Sequence, residues 1–366
     1  MPRLRRCYPS DRGLVRAGRE GCFVYEDERG RIVADPATLD RIARIAIPPA
    51  WRDVWICPWP NGHIQAVGTD AAGRRQYLYH TAWRERRDER KFDRMLDFAR
   101  SLPELRRITS EHLAQEGLTR ERVLACAVRL LDRGFFRVGG EAYADEHNTY
   151  GLATMRRAHA RLGGHDEIVF DYVAKGHKER VQAIVDRDVY EVVAALKTRD
   201  GDGGDELLAY CNGDGVWRDV RSQDINEYLK AVAGGDYSAK DFRTWHATVL
   251  AALGLAVSTL ARRSHAASRR AVTRAVTEVA HYLGNTPAVA RSSYIDPRVI
   301  DRYLAGRTIA PVLDHVVVGD PLADPDARAT VERAVIALIR NRSLNHAVGE
   351  PAAASRPTPP QRRKTA

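Results

Sequence analysis

Cysteine is sparse in this chain. Its five residues of 366, Cys7, Cys22, Cys57, Cys126 and Cys211, are scattered, odd in number and form no CxxC pair. That speaks against a disulfide framework or a thiolate zinc site and fits a reducing compartment. Long apolar runs are also lacking: no stretch approaches the roughly 18 apolar residues of a spanning helix. The basic start Met1-Pro2-Arg3-Leu4-Arg5-Arg6-Cys7 has no apolar segment behind it to make a leader. The expectation is a cytoplasmic protein with no membrane partner. A Walker A loop is missing, as is any acidic cluster with convincing metal spacing, so neither a nucleotide nor a metal cofactor is expected.

What is present is positive charge. Lys and Arg number 58 against 48 Asp and Glu, a formal net charge of +10, and arginine dominates the cations. Such a balance favours polyanionic partners, because each cation that neutralises a phosphate releases a condensed counterion. A basic protein without a nucleic-acid role would share that charge. The length suggests two folded units at about 150 residues per domain, and 44% hydrophobic residues can fill their cores.

Residues 1–83 read as a small strand-rich domain. Cys22-Phe23-Val24-Tyr25 and Ile32-Val33 flank a charged turn at Gly30, which predicts a hairpin. Leu39, Ile42 and Ile45 have helical spacing and Pro48-Pro49 ends that run. Further strands are expected over 54–57, 63–67 and 76–79. Residues 84–100, dense in interleaved bases and acids, read as a solvated bridging helix.

Residues 101–320 read as mainly helical, with runs at 123–131, 189–196, 241–257 and 271–283. Val272, Val276, Val279 and Leu283 mark one apolar face of the last run, and Gly284 is suited to end it. One hairpin interrupts: Ile168, Phe170, Tyr172 and Ala174 alternate, and Lys175-Gly176-His177-Lys178 turns. A C-terminal helix is expected over 321–344. The Ala/Pro/Ser-rich remainder, 345–366, reads as a disordered basic tail.

Breaking a phosphodiester requires an in-line nucleophile, charge stabilisation of the non-bridging oxygens, an acid for the leaving oxygen, and positioning. Arg137, in the apolar run Phe135-Phe136-Arg137-Val138, needs an anion or an internal carboxylate partner. Arg243 follows Lys240-Asp241-Phe242, where Asp241 can cap a helix; a surface salt bridge explains it equally well. Lys175 at a hairpin tip can reach a phosphate and donate a proton, although most turn lysines are merely solvated. Asn285 either caps the helix opened by Pro287 or gives its amide to an oxygen. Tyr294 can attack phosphorus if cations stabilise its phenolate, against an ordinary value of about 10. A packing role is the usual one for tyrosine.

In order along the chain, these residues form a recognisable set. The chain resembles the type IB DNA topoisomerases, specifically the compact poxvirus-type branch with bacterial members. The resemblance rests on Ile47-Pro48-Pro49-Ala50-Trp51, Gln76-Tyr77-Leu78-Tyr79, Phe136-Arg137-Val138-Gly139, Asn148-Thr149-Tyr150-Gly151-Leu152, Asp241-Phe242-Arg243-Thr244 and Gly284-Asn285-Thr286-Pro287 with Tyr294. It implies an α+β fold: a small strand-rich N-terminal domain and a mainly helical catalytic domain of the topoisomerase IB and tyrosine recombinase kind. It also implies Arg137, Lys175, Arg243, Asn285 and Tyr294 as catalytic residues, with Tyr294 the nucleophile. Gln76, Tyr77, Tyr79 and Tyr143 would contact DNA. The implied activity is ATP-independent relaxation of supercoiled duplex DNA by a monomer that clamps it, in the nucleoid.

Asn285 stands where the viral pattern has His; an amide exchanges no proton, so it acts by hydrogen bonding alone. Lys175 follows Ala174 where the viral pattern has Gly. Two rival readings are a tyrosine recombinase and a non-enzymatic basic DNA-binding protein. Recombinases place His three residues before the second Arg, where this chain has Lys240. A binding protein would not require the ordered five-residue set.

Overall fold

A computed structural model of the chain describes residues 3–19, 22–199, 204–211, 215–258, 264–316, 322 and 324–341. The basic tail expected from residue 345 lies outside the described residues, as does the side chain of Tyr143. The chain divides into two compact units, Met1–Arg94 and Met95–Ala366.

The first unit is a small antiparallel sheet. Strands β1 (Leu14–Arg19), β2 (Cys22–Glu26), β3 (Arg52–Ile56), β4 (Ile64–Thr69) and β5 (Arg75–Tyr79) lie in the order β2-β1-β3-β4-β5. Helix α1 (Pro36–Ile45) starts where Asp35 accepts from the Thr38 amide at 2.8 Å and ends at left-handed Ala46. The pleat sends Val54 and Ile56 to one buried cluster with Ile42 and Ala66, while Ile64 and Val67 join Cys7 and Cys57 in another. A register shift between Ile64 and Ala66 makes that division possible.

The hairpin expected between residues 22–25 and 32–33 is not the main pairing. β2 pairs along its length with β1, and Glu26 meets Ile32 only in an isolated bridge. The reason is length: Ile32-Val33 is too short to compete with a six-residue strand. Cys7 and Cys57, far apart in sequence, are free buried thiols with sulfurs 3.3 Å apart.

The second unit is mainly helical. The charged segment expected at 84–100 is the first part of a longer helix, α2 (Thr81–Leu113). There follow α3 (Arg120–Gly134), α4 (Glu141–His147), β6 (Ala160–Leu162), β7 (Glu167–Ala174) and β8 (Lys178–Val185). Next come α5 (Arg187–Lys197), β9 (Ala209–Cys211), β10 (Trp217–Asp219), α6 (Ser222–Ala233) and α7 (Ala239–Val257). The last described elements are α8 (His265–Leu283), α9 (Pro287–Ser293), α10 (Pro297–Leu304), α11 (Ala310–Leu313) and α12 (Pro325–Ile339).

α7 is the central helix, buried nearly all round, with Phe242 and Trp245 wholly enclosed. A buried ionic cluster joins α2, α3 and α12. Arg106 forks onto Asp132 (2.9 and 3.0 Å) and Glu332 (2.7 and 2.8 Å), while Arg328 reaches Asp132 at 2.7 Å. Trp245 Nε1 donates to Glu332 at 3.2 Å, tying α7 to the cluster. Burial works against the Asp132 charge, but the two guanidiniums outweigh it and hold the carboxyl well below its usual range. Among the described residues, no helix is long and apolar enough to cross a membrane.

Candidate active site

α3 ends at Gly134, and the chain then reverses through Phe135, whose backbone is left-handed (φ 53°). The following strand-like stretch carries Arg137. It is held extended because Leu152 and Ala153 donate their amides to the carbonyls of Arg137 (2.8 Å) and Val138 (2.7 Å). This crossing tolerates no side chains. A Cβ on Gly151 would lie 2.4 Å from Gly139 Cα and 2.9 Å from the Arg137 carbonyl oxygen. Glycine at both positions therefore fixes where Arg137 points. Its Nη2 donates to Asn285 Oδ1 at 2.5 Å, so the partner found is an amide and not the internal carboxylate that burial alone would suggest.

Arg243 lies one turn inside α7. Ser238 is the N-cap of this helix, and Asp241 accepts from the Ser238 amide (2.8 Å) and hydroxyl (3.0 Å), so Asp241 completes a capping box without being the cap. Arg243 is 5% exposed. Its Nη1 donates to the Phe135 carbonyl at 2.6 Å and its Nη2 to the Leu283 carbonyl at 2.8 Å. Its Nε is buried with no protein partner. Burial first, and then the Arg137 charge, push its pKa down to about 10, which leaves it charged at neutral pH.

Asn285 and Tyr294 are set by a helix end and a short helix. α8 stops at Gly284 (φ 63°), as its sequence predicts. The cap of α9 is Thr286, which accepts from the Val289 amide at 3.3 Å; Asn285 is thereby freed from capping. Its Nδ2, like the Arg243 Nε, is buried with no protein partner. Tyr294 closes α9, with its amide on the Ala290 carbonyl (3.0 Å) and its carbonyl accepting from Thr248 of α7 (3.3 Å).

The Arg243 guanidinium carbon sits 5.3 Å from the Tyr294 ring centroid. Burial alone would raise the phenol pKa. The charges of Arg243, Arg137 and Lys240 outweigh it and bring the value below the ordinary one.

Lys175 is exposed at the tip of the hairpin β7–β8, where Gly176 and His177 take left-handed backbones. Arg137, Lys175, Lys240, Arg243 and Tyr294 line one cavity of about 370 Å³, and Asn285 adjoins it through its bond to Arg137. Lys240, which also distinguishes this chain from the recombinases, lines the cavity although it is not one of the five residues that the resemblance implies as catalytic. Its place one turn before Arg243, on the same helix face, was the signal that it joins the site.

In the first unit, Gln76 donates to Asp70 Oδ2 at 2.9 Å, and Tyr77 and Tyr79 stack at 6.1 Å. Tyr77 is 40% exposed, while Tyr79 packs partly against the Cys7–Cys57 cluster. Tyr143 belongs to α4, and its side chain is outside the described residues.

A phenol under three cations, a guanidinium and an amide with unspent donors, and an exposed lysine beside them form an arrangement chemically suited to phosphoryl transfer on a helical core. Comparisons with known proteins agree with that class. Residues 80–305 match the family described as eukaryotic DNA topoisomerase I, catalytic core, and residues 22–70 match bacterial DNA topoisomerase IB, N-terminal domain. The chain belongs to the type IB DNA topoisomerases, in the branch that holds viral and bacterial members. It is 27% identical over 294 residues to DNA topoisomerase 1B of Acanthamoeba polyphaga mimivirus, covering 79% of this chain and 86% of that protein. It is 22% identical over 238 residues to the Monkeypox virus DNA topoisomerase I, covering 64% of this chain and 71% of the relative. With DNA topoisomerase 1 of Candida albicans it shares 25% identity over 231 residues, 60% of this chain but only 28% of the relative.

Proposed function

We propose that this topoisomerase relaxes supercoiled duplex DNA by transient cleavage of one strand through a 3′-phosphotyrosyl bond to Tyr294. The observation that carries the mechanism is the pairing of Tyr294 with Arg243, a buried guanidinium whose Nε has no protein partner. A buried donor left unmade is costly, and a non-bridging phosphate oxygen would satisfy it.

Tyr294 loses its phenol proton to water, its Oη attacks phosphorus, and the bond from phosphorus to the 5′-oxygen breaks. Arg243 and Arg137 take the charge on the non-bridging oxygens, and Asn285 Nδ2 adds a hydrogen bond. Lys175 gives its proton to the departing 5′-oxygen. The strand swivels, and the 5′-hydroxyl then returns its proton and displaces Tyr294. Bond energy is conserved in the phosphotyrosine, so neither ATP nor a metal is required. Gln76, Tyr77, Tyr79 and Tyr143 would contact the duplex, with the aromatic pair on β5 offering stacked rings to the backbone. The enzyme is taken to act as a cytoplasmic, nucleoid-bound monomer closing around DNA. Lys240 in the position where recombinases carry His, together with a sheet-built first unit, favours this reading over strand transfer between two DNA molecules.

Purified protein should relax supercoiled plasmid in EDTA without ATP. Tyr294→Phe should bind DNA and relax nothing. Relaxation that survives in Tyr294→Phe would sink the proposal.

A further inference from the structure

The last four carbonyls of α8 need donors from outside its helical ladder, and each finds one. Ala280 receives the Asn285 amide at 2.9 Å, and His281 the Gly284 amide at 3.0 Å. Leu283 receives Arg243 Nη2 at 2.8 Å. The remaining grip comes from the hairpin. Arg180 of β8 donates Nη1 to the His281 carbonyl at 3.1 Å and Nη2 to the Tyr282 carbonyl at 2.7 Å. The negative end of the helix favours both guanidiniums.

Two residues along the same strand, Gln182 donates to the Gly134 carbonyl at the end of α3. Arg180 and Gln182 share a face of β8, so one side of the hairpin is pinned to two helix ends. One of those ends leads into Arg137 and the other into Asn285. Arg180 pairs across the ladder with Tyr172, two pairs short of the closing pair Ala174 and Lys178 that flanks the Lys175 turn.

We infer that Arg180 is a positioning residue for cleavage: by capping α8 from the hairpin, it holds Lys175 in register with the Arg243 and Asn285 donors. This rests on the reading of Lys175 as the proton donor. Arg180 itself gives no proton and need not touch the phosphate, because it acts through the two helix-end carbonyls that it holds. A lysine tip on an untethered hairpin would still reach the cavity, but not consistently within bonding distance of the 5′-oxygen. A displacement near 1 Å can cost on the order of 100-fold in rate.

The test compares single-turnover cleavage of an ordinary strand with a strand whose 5′-bridging oxygen is sulfur. A thiolate leaves without protonation, so the substitution removes the need for a proton donor. Arg180→Ala should cleave the ordinary strand roughly 10- to 100-fold slower than wild type. On the sulfur strand it should fall within about threefold of wild type. Lys175→Ala should show the same pattern, and the double variant should be no slower than Lys175→Ala alone. Arg180→Lys keeps the charge and one of the two bonds, and should give a smaller defect with the same rescue.

Equal slowing of both strands, no slowing, or additive losses in the double variant would overturn the inference. If Lys175→Ala itself slows both strands alike, the proton-donor reading falls first and takes the inference with it.

Discussion

Replacing Arg243 with alanine should separate two effects, one read from its hydrogen bonds and one from its role in the proposed mechanism. The first is structural. Two nearly enclosed guanidinium bonds, to the carbonyls of Phe135 and Leu283, would vanish and leave two acceptors wanting. Stranding a buried acceptor costs about 1–3 kcal/mol, so for the two a loss of about 2–6 kcal/mol in unfolding free energy is expected, lower if water enters. The second is chemical. The transition state would lose a preorganised cation, worth about 10²–10³ in rate or about 2.7–4 kcal/mol by comparison with other oxyanion donors. The phenol of Tyr294 would also rise toward its ordinary pKa, because Arg243 is the largest cation acting on it. Denaturant unfolding reads the first effect. The quenched, single-turnover accumulation of covalent protein–DNA adduct at saturating DNA reads the second. A folded Arg243→Ala protein that forms adduct within about threefold of the wild-type rate would refute the assignment.

Two further outcomes follow from the charges. The cations around Tyr294 favour its phenolate, so the adduct-forming rate should climb with pH and level off below the ordinary tyrosine value. Lys240→Ala removes one of these cations and should move the break to higher pH, a shift measurable in the pH–rate profile. Asp132→Asn should cost about 3–5 kcal/mol, as expected for breaking a buried pair. Because the folded Asp132 carboxyl is depressed, its contribution is fully present above the unfolded value of about 3.9. It is lost as pH falls through the folded value. The gap in melting temperature between wild type and Asp132→Asn should therefore be constant near neutrality and close below about pH 4.

Local features of this site were legible in the sequence. Alternation of Ile168, Phe170, Tyr172 and Ala174 marks a strand with one buried face, which is how β7 packs. Gly284 ends α8 because only glycine enters the left-handed region there cheaply, and the apolar face before it gave the helix. The spacing of Lys240 and Arg243 places both on one face of α7. What escaped sequence reading depends on distant partners. Arg137 meets Asn285 across 148 residues, and Arg106 meets Glu332 across 226. No local pattern in either segment encodes the other. β1 was missed for a different reason: Leu14–Arg19 lacks clean alternation and becomes a strand through its neighbours β2 and β3. Arg180 carries no signal in the sequence, since nothing near it reveals the helix end that it caps.

The ionic cluster on α12 has a bearing on synthesis. The region matched by the topoisomerase catalytic core stops at residue 305, after the nucleophile. Yet Arg328 and Glu332, delivered later by the ribosome, complete the pairing of Asp132 and Arg106, and Glu332 accepts from Trp245, two residues beyond Arg243. Every side chain of the proposed catalytic set therefore exists before the helix that carries Arg243 has its last buried polar partner. The nascent chain already holds Tyr294, but the floor beneath the Arg243 that faces it is finished only when the final turns of α12 arrive. Order of manufacture thus runs opposite to order of importance: the part made last underpins the part that reacts.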